Sequence, residues 1–350
     1  PRLLDEWQTA PVLWDAVRFM VDQRGKSRQF ILTGSAAPKD NVVRHTGTGR
    51  ISRLLMRPMS LYESMESNGS VSLKALFDGE TEIDNFSTLT IEQIAFAIVR
   101  GGWPASIGKS EKIALRHAID YVEAIINADV SRVDGIKKNP VRVRALLRSL
   151  SRNISTLATI RTIHDDIAMG DADESISEKT ISQYLGALDR IFVTENLPAW
   201  NPALRSKTAI RTSPKRQFVD PSIAAAVLRL TPSRLLEDFN YFGFLFESLC
   251  DRDLRIYAEA IDGQVFHYRD ASGLEADAVI ALNDGRWAAV EVKLGSKEIE
   301  DAAVHLLELK NKVNTEKMRE PSFLMILTGS EIAYRREDGV YVVPLGCLKE

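Results

Sequence analysis

The chain has 350 residues, 45% hydrophobic and 27% charged, with a formal net charge of −3. That length predicts roughly two to three domains of ~100–200 residues each, with the composition of an ordinary globular protein. The near-neutral charge excludes a global pull toward nucleic acid or a membrane surface, so such a partner must use a local patch. No apolar run has the roughly 18 residues of a membrane span. The two cysteines, Cys250 and Cys347, fit no metal or redox spacing, which predicts a reduced, cytoplasmic protein.

The first predicted element is a short strand, Leu3-Leu4, that ends in Asp5 and Glu6. Two acids at a strand end suit Mg²⁺ holding by one and water aiming at a γ-phosphate by the other. After Pro11, Leu13, Val17, Met20 and Val21 recur at helical spacing, and Gly25 ends the helix. Residues 29–36 form an apolar strand closing on Thr33, Gly34 and Ser35. This strand–helix–strand alternation is that of a buried parallel sheet. A glycine-flanked loop, His45-Thr46-Gly47-Thr48-Gly49-Arg50, then presents an arginine, whose guanidinium stabilises charge on a transferring phosphoryl group. No GxxxxGK[ST] loop occurs, so the sequence reads as a fragment cut within an ATPase core and is expected to lack ATPase activity as it stands.

Through LLDEWQ, Leu13-Trp14, FILTGSA, HTGTGRI and MRPMSLYE, residues 1–65 resemble AAA-type P-loop ATPases of bacteria and archaea that carry a C-terminal domain of unknown function. The resemblance implies Asp5 and Glu6 as Walker B acids, with Asp5 on the metal, and Thr33 or Ser35 as the γ-phosphate sensor. It implies Arg50 as a charged contact to nucleotide, in a homo-oligomer across a subunit boundary. ATP and Mg²⁺ would be the cofactors of the full-length protein.

Residues 66–90 are polar and glycine-containing and read as a loop or linker. Ile91 to Val99 predicts a short helix closed by Gly101-Gly102, and Glu111 to Val130 a longer one; in the resembling family this segment is a helical lid. Pro140 opens a helix with Val143, Leu146, Leu147, Leu150 and Ile154 on one face and Arg142, Arg144, Arg148 and Arg152 elsewhere. A short helix follows over 156–169. Ser177 caps a third, with Ile181, Tyr184, Leu185, Leu188, Ile191 and Phe192 in register. Residues 193–197 suit a β wing. Three helices and a wing predict a winged helix, whose third helix enters DNA's major groove or packs on protein. Its outward face, Glu178, Lys179, Ser182, Gln183, Asp189 and Arg190, is mixed in charge, which favours packing. Arg205, Lys207, Arg211, Lys215 and Arg216 downstream offer a basic run for DNA or a solvated loop.

From Leu235 to Ile261 the sequence predicts one long helix. Strands follow at 264–268, 273–282 and 287–293, the last two joined by the turn Asn283-Asp284-Gly285-Arg286. A helix at 298–313 and a buried strand at 323–328 complete the order α-β-β-β-α-β. Glu291 and Lys293 lie two residues apart on a strand and share a face, with Asp277 on the preceding arm. Two carboxylates across paired strands suit a hard divalent cation, and the adjacent lysine suits charge stabilisation during phosphodiester hydrolysis. Glu247 is a candidate further metal ligand, and His267 reads as a strand-face residue. Asp277, Glu291-Val292-Lys293 and the element order resemble the PD-(D/E)xK restriction-endonuclease-like superfamily. The resemblance implies Mg²⁺ or Mn²⁺ in this domain, and DNA as partner.

The expected architecture is α/β and multidomain: a partial AAA-type core at 1–65, linker and helical lid at 66–139, winged helix at 140–205, and nuclease-like domain at 215–350. Two functions fit: an ATPase driving a metal-dependent nuclease, or an ATP-dependent switch whose other modules only dock to DNA or protein.

Overall fold

The computed structural model describes residues 1–36, 49–133, 135–170, 176–203 and 209–350. Strand β1 (Arg2–Leu4), helix α1 (Val12–Arg24) and strand β2 (Phe30–Leu32) realise the predicted strand–helix–strand unit. β1 and β2 are parallel, with Arg2 opposite Phe30 and Leu4 opposite Leu32. α1 stops at Gly25, whose left-handed φ of 59° suits a residue without a Cβ. Trp7 and Trp14, with ring centroids 4.9 Å apart, pack the helix against the strand ends.

The polar stretch 66–90 is not a free loop. It contains β3 (Val71–Ser72), α2 (Leu73–Phe77) and β4 (Asp84–Phe86). Val71, Leu73, Leu76, Phe77, Ile83 and Leu89 are buried, and this sparse apolar series holds the segment on the body of the protein.

The helical middle opens with α3 (Ile91–Arg100). Thr90 and Gln93 form a reciprocal capping box at its start, and Gly101 ends it. α4 (Glu111–Ala124) does not run unbroken to residue 130. It widens into a π turn (Ile125–Asp129) before α5 (Val130–Arg132), with Ile125, Ile126 and Val130 all buried. α6 (Pro140–Arg152) buries the predicted apolar face. α7 (Ile160–Gly170) starts later than the sequence suggests, and α8 (Glu178–Arg190) is capped by Ser177 as expected. Residues 193–197 do not close a tight wing. They run antiparallel to 215–219, with bridges at Thr194–Phe218 and Leu197–Lys215. α9 (Pro221–Val227) then packs among α3, α4 and α6.

The predicted single helix over 235–261 is two: α10 (Pro232–Glu237) and α11 (Phe239–Ala260). Asp238 separates them because its carboxylate accepts the Tyr241 N–H and so caps a new helix. There follow β5 (Gly263–Arg269), β6 (Glu275–Leu282), β7 (Trp287–Lys293), α12 (Ile299–Lys312), β8 (Phe323–Thr328), β9 (Ile332–Arg335), β10 (Tyr341–Pro344) and β11 (Leu348–Lys349). From α11 to β8 the order α-β-β-β-α-β is as predicted. The main sheet runs β4-β9-β10-β8-β7-β6-β5, so β4 from the supposed linker forms one edge. β5, β6 and β7 are antiparallel, while β7, β8 and β10 run parallel.

Strand alternation assigns the two faces. Val290, Val292, Met325 and Leu327 join the core that contains α11. Ala289, Leu324 and Ile326 join the core under α12. Cys250 and Cys347 are both free and buried, and no described helix is long and apolar enough to cross a membrane.

Candidate functional site

Two groups of predicted residues come together, one at each end of the chain. In the first, the parallel pairing of β1 and β2 sets their C-terminal ends side by side. The Thr33 hydroxyl donates to Asp5 at 2.5 Å, and the Ser35 hydroxyl donates to Glu6 at 3.1 Å. Gln8 donates to Glu6 and, at 3.3 Å, to Ser35. Glu6 has a left-handed backbone, with φ of 49°, which turns the chain at the strand end. These oxygen donors suit a hard cation such as Mg²⁺. Arg50 is not brought to them, and its guanidinium donates to Asp22 of α1 at 2.6 Å. The rest of its loop, His45 to Thr48, lies outside the described residues.

The second group lies at the C-terminal end of β7. Glu291 and Lys293 share the α12 side of the sheet and pair at 3.0 Å. Glu291 is 1% exposed, and its Oε1 has no hydrogen-bond partner. Burial, with Asp277 adding to it, pushes this carboxyl well above the ordinary range. Burial opposes the charge of Lys293, but Asp277 and Glu291 outweigh it and hold the ammonium above its usual value.

Asp277 sits where the pairing of β5 with β6 shifts register between Phe266 and Tyr268. Its Oδ2 accepts the Val292 N–H at 2.8 Å. Its backbone carbonyl accepts the Lys215 ammonium at 2.7 Å, and that ammonium lies 3.9 Å from its Oδ1. Lys215 also pairs with Glu247 of α11. A cleft of about 200 Å³ opens here, with Lys215, Glu247, His267, Arg269, Glu275 and Asp277 in its wall.

The sequence reading missed Lys215 as a member of this site. It stood in a run of cations read as surface, yet its side chain is 8% exposed. Arg216 is buried too and donates to the Ala158 carbonyl at 2.8 Å. Arg205 and Lys207 lie outside the described residues, so Arg211 alone of that run is described and exposed. A signal was present: after Gln217 come Phe218 and Val219, then the cap Asp220 and Pro221, a pattern that leads into a core. Asp251, one turn beyond Glu247, was also missed. It is fully buried and accepts from Gln217 at 2.7 Å.

Burial pushes Glu247 and Asp251 upward, with Lys215 opposing the shift. The Asp277 charge adds to the upward shift at both, and at Asp251 the Arg255 guanidinium opposes it as well. His267 is a buried strand residue, as read, and donates its Nε2–H to the Ser213 carbonyl at 2.9 Å. Among the described residues, no group of three His, Cys, Asp or Glu is placed to hold a metal ion.

Residues 2–65 match the AAA domain family. Residues 91–234 match a domain of unknown function, DUF8612, and residues 242–348 match another, DUF4143. No curated protein matches the chain. Among solved structures the chain is similar to one from the tetradecameric assembly of Thermococcus gammatolerans McrB AAA+ hexamers with bound McrC. That match has 11% identity and a TM-score of 0.23, over 59% of this chain and 72% of the other, a likeness too slight to carry functional weight. The chain thus joins an AAA-type segment at its N-terminus to a DUF4143 domain at its C-terminus, with a DUF8612 domain between them.

Proposed function

We propose that this protein is an AAA-type ATPase whose nucleotide cycle acts on a C-terminal nuclease-like module. The observation that carries the reading is the meeting of Asp5 and Glu6 with Thr33 and Ser35 at the ends of two parallel strands. In this reading Asp5 holds Mg²⁺ and Glu6 aims the attacking water. Thr33 and Ser35 fix the two carboxylates and stand where a γ-phosphate would be sensed. Bound Mg²⁺ would supply charge neutralisation on the phosphates. No GxxxxGK[ST] loop occurs in these residues, so this is half of an ATP site. In the full-length protein, Glu6→Gln is expected to lower kcat about 10²–10⁴-fold, the usual range for losing a positioned base. Unchanged turnover would overturn the assignment.

The order α-β-β-β-α-β, with Asp277, Glu291 and Lys293 at one strand end, supports a nuclease-like, PD-(D/E)xK-type reading of the C-terminal module. In this conformation the donor set does not fit a metal. Lys215 already neutralises Glu247 and Asp277, and Lys293 neutralises Glu291. That occupancy favours the second reading, in which the module docks rather than cuts. The α6–α8 region fits a winged-helix use in protein packing, because its α8 face is mixed and two downstream cations are buried. A cleavage assay with Mg²⁺ or Mn²⁺ on the full-length protein decides between them, with Asp277→Ala and Glu291→Ala as controls. Cleavage lost in both variants supports the nuclease. No cleavage of any DNA or RNA form supports docking.

A further inference from the structure

The helical domain carries a row of cations that neither site described above uses. Helix α6 buries Val143, Leu146, Leu147 and Leu150, so its opposite face looks outward. Arg144, Arg148 and Arg152 stand on that face at steps of four residues, and all three are exposed. The row is ~12 Å long at about 1.5 Å per residue. Its two ends are tied to neighbouring helices by carboxylates. Arg144 donates to both oxygens of Glu123 of α4, at 3.0 and 2.7 Å. Arg152 donates to both oxygens of Asp166 of α7, at 3.1 and 2.7 Å. Arg229, just beyond α9, adds a fourth guanidinium 3.1 Å from Glu123. Arg148, in the middle of the row, has no carboxylate partner among the described residues. Four guanidinium groups thus face two carboxylates, while Asp120 and Asp165 are already paired with Arg116 and Arg161. The patch is left with a positive excess on a chain whose net charge is −3.

An apolar slot opens at one end of the row. It has a volume of about 80 Å³ and is walled by Val99 of α3, Leu115 and Ile119 of α4, Ala226 of α9, and Arg229 and Leu230. Ile119 lies one helical turn before Glu123 on α4, and Arg229 belongs both to the slot and to Glu123, so slot and row form one surface. The slot is far below the roughly 300 Å³ that a cofactor needs, and has room for one aliphatic side chain. No aromatic ring lines it, so it offers no platform for stacking a nucleobase. Glu123 and Asp166 would also repel a phosphate backbone, which binds to clustered cations. Carboxylates, by contrast, already sit on this row in the two-oxygen geometry that a guanidinium favours, and each paired arginine keeps N–H donors unused.

We propose that α6 and this slot form a docking surface for an acidic segment of a partner protein. Its carboxylates lie along Arg144, Arg148 and Arg152, and one aliphatic side chain fills the slot. The inference rests on the reading of α6–α8 as a protein-packing unit and adds the chemistry of the partner. It uses neither the ATP half-site nor the Asp277 cleft.

The test is fluorescence anisotropy on the whole chain with a labelled peptide of one leucine followed by about six glutamates, which spans ~20 Å when extended. Arg148→Glu is the main variant, and because the side chain is exposed and unpaired its Tm is expected to match wild type. Arg142→Glu is the control, since Arg142 lies on the same helix but off the row and the change in net charge is the same. Wild type is expected to bind the peptide, Arg148→Glu at least about tenfold more weakly, and Arg142→Glu within about twofold of wild type. Exchanging the peptide's leucine for alanine is expected to cost at least about fivefold, because the slot then goes unfilled. Equal losses in the two variants would reveal diffuse charge attraction and overturn the proposal, and so would equal binding of the leucine and alanine peptides. If wild type does not bind the peptide, the proposal falls while the packing reading, carried by the mixed face of α8, stands. An oligonucleotide that binds more tightly than the peptide and is lost in Arg148→Glu would make the row a nucleic-acid surface and overturn both.

Discussion

The guanidinium of Arg252 lies 2.9 Å from the carboxylate of Asp220, and both side chains are essentially out of solvent. The pair joins α11 to the cap of α9. It is extended on each side: Arg252 also donates to Asp253 at 2.9 Å, Asp253 accepts the Leu61 N–H, and Asp220 accepts the Gly102 N–H. One buried network therefore ties four stretches of chain together, including the one that leaves the AAA-type segment.

Removing one partner of a buried ion pair leaves the other charge unpaired. Arg252→Met is accordingly expected to cost about 3–5 kcal/mol. Denaturant unfolding of wild type and variant measures this, and a loss below about 1 kcal/mol would show that the network contributes little, as exposed pairs do.

Gly102 stands at the same junction for a steric reason. A Cβ there would lie 2.1 Å from the Met59 carbonyl oxygen, a backbone atom that cannot swing away. The Met59 N–H also donates to the Gly102 carbonyl at 2.7 Å, so the two segments are already in contact. Gly102→Ala should therefore destabilise by about 1–3 kcal/mol, the range for overpacking a tight site. An unchanged Tm would place the segment elsewhere.

His267 predicts a pH dependence. Burial, aided by the Lys215 ammonium, pushes its imidazole down from 6.5 to about 4. Between those values the unfolded chain takes up a proton that the folded chain refuses, so stability is full above about pH 6.5 and falls as the medium becomes more acid. The loss by pH 4 is on the order of 3 kcal/mol, at roughly 1.4 kcal/mol per unit. His267→Gln should flatten this part of the stability curve. Parallel curves for wild type and variant between pH 7 and 4 would refute the assignment.

The purified 350-residue chain should hydrolyse no ATP. Asp5 and Glu6 meet Thr33 and Ser35, as the proposed half-site requires, but no GxxxxGK[ST] cradle for the phosphates occurs among these residues. Hydrolysis above the level of an Asp5→Ala control would refute this.

Much was legible in the sequence because it depended on local patterning. The spacing of Val143, Leu146, Leu147 and Leu150 specifies a helix whichever neighbours it meets, and the alternation in 275–293 specifies paired strands with Glu291 and Lys293 on one face. The Asp5–Thr33 meeting followed from the parallel order of two short strands. What depended on long-range contact was not legible. Asp238 split a continuous apolar pattern, because a side chain competing for a backbone N–H leaves the periodicity unchanged. Residues 71–86 read as polar linker because an edge strand needs few apolar side chains. Lys215 read as a surface cation because charge alone does not reveal burial. Only the fold, by carrying that lysine to Glu247 and Asp277 from 32 and 62 residues away, made it the counter-ion of a buried acidic cleft.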